Sequence, residues 1–117
     1  MKEGSIILAA MIQADGQRKN RPALILREMP KYGDLLICGI STQLQQYTPD
    51  FDEIIRTEDD DFITSGLVKE SLFRLAFLSI IQQKEAIGSI GMISLDRHQR
   101  LLSNLSNYLT SDRKSVV

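Results

Sequence analysis

The amino-acid sequence predicts a mainly β protein: a small, strongly bent antiparallel sheet closed by one C-terminal helix. Three observations carry this. Three apolar runs of strand length precede Thr42, each separated from the next by a short turn signal. Further apolar segments flanked by glycine follow. Near the C-terminus, apolar residues recur at helical spacing.

Ser5 to Ile12 is a continuous apolar run, and Asp15-Gly16 then marks a turn. Gln17 to Asn20 reads as a basic loop that feeds Arg21-Pro22 at the mouth of a second strand, Pro22 to Arg27. Proline is tolerated at the first strand position, where its missing N–H costs no ladder bond. Met29 to Asp34 is a second turn region, and Leu35 to Ser41 a third strand, completing a meander. Asp52 to Arg56 is a short fourth candidate. Ser71 to Ile81 fits helix or strand by length; its aromatics and the flanking glycines favour strand, with Phe73, Leu75, Phe77 and Ser79 on one face. Gly88 to Ile93 is a short strand or extended turn. Ser94 is a natural N-cap, with Asp96 in the first turn, where the helix dipole favours an acid. Leu95, Leu101, Leu102, Leu105, Tyr108 and Leu109 then mark an amphipathic helix that must cover the open side of the sheet. The polar stretch after it is expected to fray.

The bulk numbers narrow the function classes. At 117 residues, 43% hydrophobic and 25% charged, the chain has the size and composition of one ordinary globular domain. Cys38 is the one cysteine, which rules out an intrachain disulfide and suits a reducing compartment. No apolar run approaches the roughly 20 residues of a membrane helix. The N-terminus lacks the pattern of a signal peptide, so a cytoplasmic setting is expected. A net charge of −1 argues against a general nucleic-acid coat protein. The charge is uneven, however. Arg18, Lys19, Arg21, Arg27 and Lys31 form a basic cluster, interrupted by Glu28. Asp50, Asp52, Glu53, Glu58, Asp59, Asp60 and Asp61 form an acidic one, relieved by Arg56. The acidic block is expected to be a solvated loop or a surface for a basic partner.

Most catalytic signatures are missing. There is no Walker-type phosphate loop and no dinucleotide fingerprint. One His and one Cys cannot make a usual zinc set. His98 shares the apolar face of the predicted helix and reads as a core-edge histidine rather than a general base. Cys38, inside an apolar strand run, reads as a small buried hydrophobe. Asp59-Asp60-Asp61 lacks the alternating ligand spacing of a calcium loop. What remains is Arg21 with the end of the third strand, Ser41-Thr42-Gln43. A forked, permanently charged guanidinium suits a phosphate. Antiparallel pairing brings the start of the second strand beside the end of the third, where hydroxyls can donate to a phosphate oxygen.

The order of these residues resembles the MazF/PemK-like toxins, small bacterial endoribonucleases of toxin–antitoxin pairs. Gly4-Ser5-Ile6-Ile7-Leu8 is similar to their opening strand. Asp15-Gly16 with Asn20-Arg21-Pro22-Ala23-Leu24-Ile25-Leu26 resembles their turn and Arg-Pro strand, and Leu36 to Gln43 their strand ending in Ile-Thr or Ile-Ser. Ser65-Gly66-Leu67, Glu70-Ser71 and Ile87-Gly88-Ser89-Ile90 resemble later segments. The likeness spans roughly residues 4–109. It implies a small PemK/CcdB-like (SH3-like) antiparallel barrel over residues 1–110 with a flexible tail at 111–117. It also implies a homodimer, a cognate antitoxin partner, and cleavage of single-stranded RNA that needs no cofactor or metal. In that chemistry the RNA 2′-hydroxyl attacks the adjacent phosphate. The protein supplies charge stabilisation, positioning and proton transfer. Arg21 matches the catalytic arginine and Ser41 the catalytic Thr/Ser. Arg18 and Lys19 would line the phosphate-facing rim, with Thr42, Gln43 and Arg74 as further substrate-binding candidates. The chain departs from the pattern at Ser5, where relatives have an acid, and at Asn20, where many have a second basic residue. It departs again at Ala76, where some carry an acid two residues after the arginine matched by Arg74. These departures leave two alternatives: a non-catalytic binding module, and a protein-targeting CcdB-like toxin, on the same fold.

Overall fold

The computed structural model of the chain describes residues 2–12 and 14–112. Six strands, β1 (Ser5–Ile12), β2 (Arg18–Met29), β3 (Asp34–Ser41), β4 (Glu53–Ile55), β5 (Ser71–Ile81) and β6 (Ala86–Met92), form one antiparallel sheet. Their spatial order is β4-β5-β3-β2-β1-β6. A one-turn helix, α1 (Phe62–Ser65), follows β4, and α2 (Leu95–Leu109) ends the fold. The predicted β-plus-helix architecture is therefore the one observed, and α1 is an addition. Its four residues are too few for helical periodicity to register in the sequence. The expected tail at 111–117 falls mostly on 113–117, outside the described residues. Among the described residues, no helix is long and apolar enough to cross a membrane.

The first hairpin departs from expectation at its tip. β2 starts at Arg18, because pairing with β1 continues out to Ile12↔Arg18. Arg18 to Arg21 are thus strand residues, not a loop, and Pro22 sits inside a strand rather than at its start. Its position still obeys the proline rule. β2 meets β3 only from Ala23 onward, so at Pro22 the strand presents an open edge on that side.

Alternation along the strands builds two apolar clusters, one per face of the sheet. Ile6, Leu24, Leu26, Cys38, Ile55, Phe73 and Leu75 form the first, together with Ile93, Leu101 and Leu105. This is the face α2 covers. Ile7, Ala9, Ala23, Ile25, Leu35, Ile37 and Ile81 form the second, which receives no helical residue and has Ala86 packed against it. The outermost strands are bridged by α1, not by a ladder. Gly66, at φ +75°, lets this happen: a Cβ there would lie 2.0 Å from the Ile90 carbonyl oxygen of β6.

In α2 the Ser94 hydroxyl accepts the Arg97 N–H at 3.1 Å, as the N-cap reading requires. Leu101 and Leu105 are buried, but Leu95 and Leu109 stay largely exposed. His98 is buried, with Nε2 2.8 Å from the Leu26 carbonyl oxygen, so it anchors the helix to β2. Cys38 is fully buried, and that burial pushes its thiol pKa up.

The acidic block is not simply solvated. Asp52 and Asp61 are buried, as is Arg97. The Arg97 guanidinium donates to both Asp61 oxygens (2.8 and 3.1 Å), to Asp59 (2.9 Å), to Glu53 (3.0 Å) and to the Ile54 carbonyl (3.2 Å). Arg100 adds two bonds to Glu53. Three of the seven acids, Glu53, Asp59 and Asp61, therefore strap α2 to β4 and the loop before α1. Burial favours the neutral form of Asp61, yet the hydrogen bonds from Arg97 and from the Ser94 N–H, with the Arg97 charge, hold its pKa below the usual carboxylate value. A sequence scan missed this because Arg97 is 36 residues from Asp61.

Candidate functional site at the β2–β3–β5 junction

The site is built by register. β2 and β3 pair as Ala23↔Gly39, Leu24↔Cys38 and Ile25↔Ile37. The ladder ends at Ala23↔Gly39, and Arg21 and Ser41 each lie two residues beyond it, at neighbouring strand ends. On its other side, β3 pairs with β5 as Gly39↔Arg74 and Ser41↔Leu72. Cross-strand partners project to the same face, so Arg21, Ser41 and Arg74 share the face of Ala23 and Gly39. The three residues surround Gly39. Opposite positions in antiparallel strands lie about 5 Å apart at Cα, so these groups converge on a patch the size of one phosphate and its neighbours.

A break in β5 completes the patch. The pairing jumps from Cys38↔Leu78 to Gly39↔Arg74, which leaves Leu75, Ala76 and Phe77 as a bulge. Phe73 and Leu75 therefore point into the α2-facing core, whereas Phe77 emerges on the opposite side. The predicted shared face of Phe73, Leu75, Phe77 and Ser79 is corrected accordingly. The Phe77 ring settles on Gly39, where any Cβ would sit 2.4 Å from its Cδ2. The Arg74 guanidinium lies 5.8 Å from the ring centroid. Gly39 is thus required by contact with an aromatic side chain, not by its backbone angles.

Asp52 holds the bulge in place. Its carboxylate accepts the Leu75 N–H (3.0 Å) at one oxygen and the Thr48 N–H (3.0 Å) at the other. It replaces the ladder partner that the bulge removes and ties it to the loop after Ser41. The other predicted residues fall around this centre. The Ser41 Oγ accepts the Gln43 N–H at 3.0 Å, which fixes the hydroxyl and leaves its proton to donate. Thr42 and Gln43 are exposed beyond the strand end, and Gln43 accepts a bond from the Gln45 amide at 2.8 Å. Lys19 and Arg18 are exposed at the start of β2, and Arg18 lines a groove against Phe77. Ala76 is exposed within the bulge. Phe77 and Asp52 were not singled out by the sequence, since their roles depend on a register shift that leaves no composition signal. Among the described residues, no cluster of His, Cys, Asp and Glu is arranged to hold a metal ion.

The arrangement offers fixed cations and a positioned hydroxyl beside an exposed aromatic ring. That is equipment for an anion joined to a planar group. Comparison with solved structures finds the same fold in the Mycobacterium tuberculosis toxin MazF-mt6, at TM-score 0.67 and 20% identity, covering 93% of this chain and 99% of that one. No curated protein matches in sequence. The family profile for the PemK-like, MazF-like toxin of type II toxin–antitoxin systems matches residues 2–109. The chain belongs to the PemK-like, MazF-like toxin family of type II toxin–antitoxin systems.

Proposed function

We propose that this toxin is an endoribonuclease that cuts single-stranded RNA without a metal ion. The observation that carries the reading is the register Ala23↔Gly39↔Arg74, which puts the strand ends bearing Arg21 and Ser41 side by side, with Arg74 on the same face. In this scheme the 2′-hydroxyl attacks the adjacent phosphorus as its proton passes to a solvent water molecule. The phosphorus–5′-oxygen bond breaks, giving a 2′,3′-cyclic phosphate and a 5′-hydroxyl. Arg21 neutralises the charge that builds on the non-bridging oxygens and protonates the leaving oxygen, directly or through water. The Ser41 hydroxyl, held by the Gln43 N–H, donates to a phosphate oxygen. Lys19, Thr42 and Gln43 border the path of the strand on either side, and Arg74 adds charge at the patch.

The protein acts as a homodimer in the cytoplasm and is silenced by its antitoxin. An acidic, disordered antitoxin segment would compete with RNA for Arg18, Lys19 and Arg21 and become ordered on binding. The test is cleavage of a single-stranded RNA in excess chelator. Wild-type protein is expected to cut. Arg21→Ala is expected to lose about 100- to 1000-fold in rate and Ser41→Ala a smaller factor, both with unchanged melting. Cutting that requires magnesium, or that survives Arg21→Ala, overturns the assignment. A second reading, a non-catalytic binding module, has one observation in its favour: Ala76 puts a methyl group where some relatives carry an acid. RNA binding without any cleavage would establish it.

A further inference from the structure

Asp52 is a carboxylate only 5% exposed, and the reaction scheme leaves it without a role. It differs from the other buried acid, Asp61, which Arg97 pairs at 2.8 Å. Among the described residues no ion pair reaches Asp52. Burying an acid without a cation lowers stability unless hydrogen bonds offset it. An apolar side chain would serve stability alone at least as well. The bonds that Asp52 makes give it a different use. β4 ends at Glu53↔Phe73, and β3 pairs with Arg74 and then with Leu78, so Leu75 to Phe77 have no ladder partner on either side. One Asp52 oxygen takes the Leu75 N–H and the other the Thr48 N–H, both at 3.0 Å. Leu75 directly follows Arg74. Thr48 closes the segment that leaves Ser41 through Thr42, Gln43 and the short helical turn Leu44–Gln46. One carboxylate thus ties the arginine wall of the candidate site to its hydroxyl wall. Asp52 is itself fixed from behind. Its N–H donates to the Thr48 carbonyl at 3.0 Å, and the Asn104 amide of α2 donates to the Phe51 carbonyl at 2.9 Å.

We propose that Asp52 is a positioning residue of the reaction: by gripping the backbone on both sides, it sets where Arg74 stands relative to Ser41. The inference rests on the ribonuclease reading above. The Arg74 guanidinium lies 5.8 Å from the ring of Phe77, at the other end of the same bulge, so a bulge that shifts carries both side chains with it. A displacement of about 1 Å in a group that meets the reacting phosphate is enough to cost about 100-fold in rate. The grip needs two acceptors. A carboxylate has one oxygen for each N–H, whereas an amide of the same shape has one acceptor and turns a donor toward the other N–H. Asp52→Asn therefore releases one wall while keeping the side-chain volume and leaving the Arg97 strap untouched.

The experiment measures kcat and KM for cleavage of a single-stranded RNA in excess chelator, at a temperature where urea unfolding shows each protein fully folded. It compares wild type, Asp52→Asn, Arg74→Ala and the double variant. Asp52→Asn is expected to lower kcat about 10- to 100-fold. The double variant is expected to lose no more than Arg74→Ala alone, because misplacing an arginine that is absent has no further effect. Asp52→Asn with wild-type kcat and KM makes Asp52 a purely structural residue and overturns the proposal. Losses that multiply in the double variant overturn it too, since Asp52 then acts independently of Arg74. Amide hydrogen exchange on the wild-type protein depends on no variant. The Leu75 and Thr48 amides are expected to be protected, and exchange of either at the rate of an open chain overturns the grip. Each of these failures leaves the ribonuclease reading intact. A wild-type protein that cuts no RNA overturns that reading, and the role of Asp52 with it.

Discussion

Two arginine-centred regions of this molecule use the same side chain in opposite ways. At the α2 strap, Arg97 is buried and spends its donors on Asp61, Asp59, Glu53 and a backbone carbonyl. At the β2–β3–β5 junction, Arg18 and Arg21 are exposed and Arg74 is half-buried beside an aromatic ring. A guanidinium surrounded by carboxylates is saturated: it fixes elements relative to one another and has no capacity left for a ligand. A guanidinium on a strand rim is open to solvent on its outer side. Three acids of the block, Glu53, Asp59 and Asp61, are engaged by the first region.

The comparison breaks first at the strap. Arg97→Met removes one side of a buried ion network and leaves Asp61 unpaired, which is expected to cost about 3–5 kcal/mol. That is much of the roughly 5–15 kcal/mol available to a domain of this size, and urea unfolding measures it. A loss below about 1 kcal/mol would mean that the strap is no more than a surface ion pair. Arg21→Ala sharpens the contrast from the other side. Its expected loss in rate is of comparable free energy, about 3–4 kcal/mol, but the urea midpoint should stay put.

The pH dependence of stability is a smaller effect with a defined sign. Asp61 has a folded pKa below its unfolded value of about 3.9. Its contribution is therefore present above that value and is lost as pH falls through the lower folded pKa. The wild-type protein is expected to lose stability below about pH 4, and Asp61→Asn to start less stable and to show a flatter acid limb. Equal acid limbs in the two proteins would remove Asp61 from the strap's energetics. The smallest effect is at the helix cap. Ser94→Ala should cost about 1 kcal/mol, with RNA cleavage unaffected.

Local chemistry made much of this legible. Ser5–Ile12 and the turn at Asp15-Gly16 follow from an apolar run and a residue pair whose conformational preferences need no tertiary help. The capped helix from Leu95 follows from Ser94 and the recurrence of leucines. That the start of β2 lies beside the end of β3 was accessible too, because a short antiparallel turn dictates which strand ends meet. His98 read as a core-edge histidine from its place on the apolar helix face, and it is buried. The acidic block misled, because seven acids in one stretch look solvated until a distant arginine is folded against them.

The sequence by itself determined the strand-and-helix content and the meander. These depend on hydrophobic periodicity, turn residues and antiparallel geometry, all of which act over a few neighbouring residues. Only the tertiary structure decided that the β5 bulge turns Phe77 away from Phe73 and onto Gly39. Only it decided that Asp52 secures that bulge and that Arg97 absorbs Asp59, Asp61 and Glu53. Each of these is a contact between elements far apart in the chain, where packing and the need to satisfy buried polar groups override local preference.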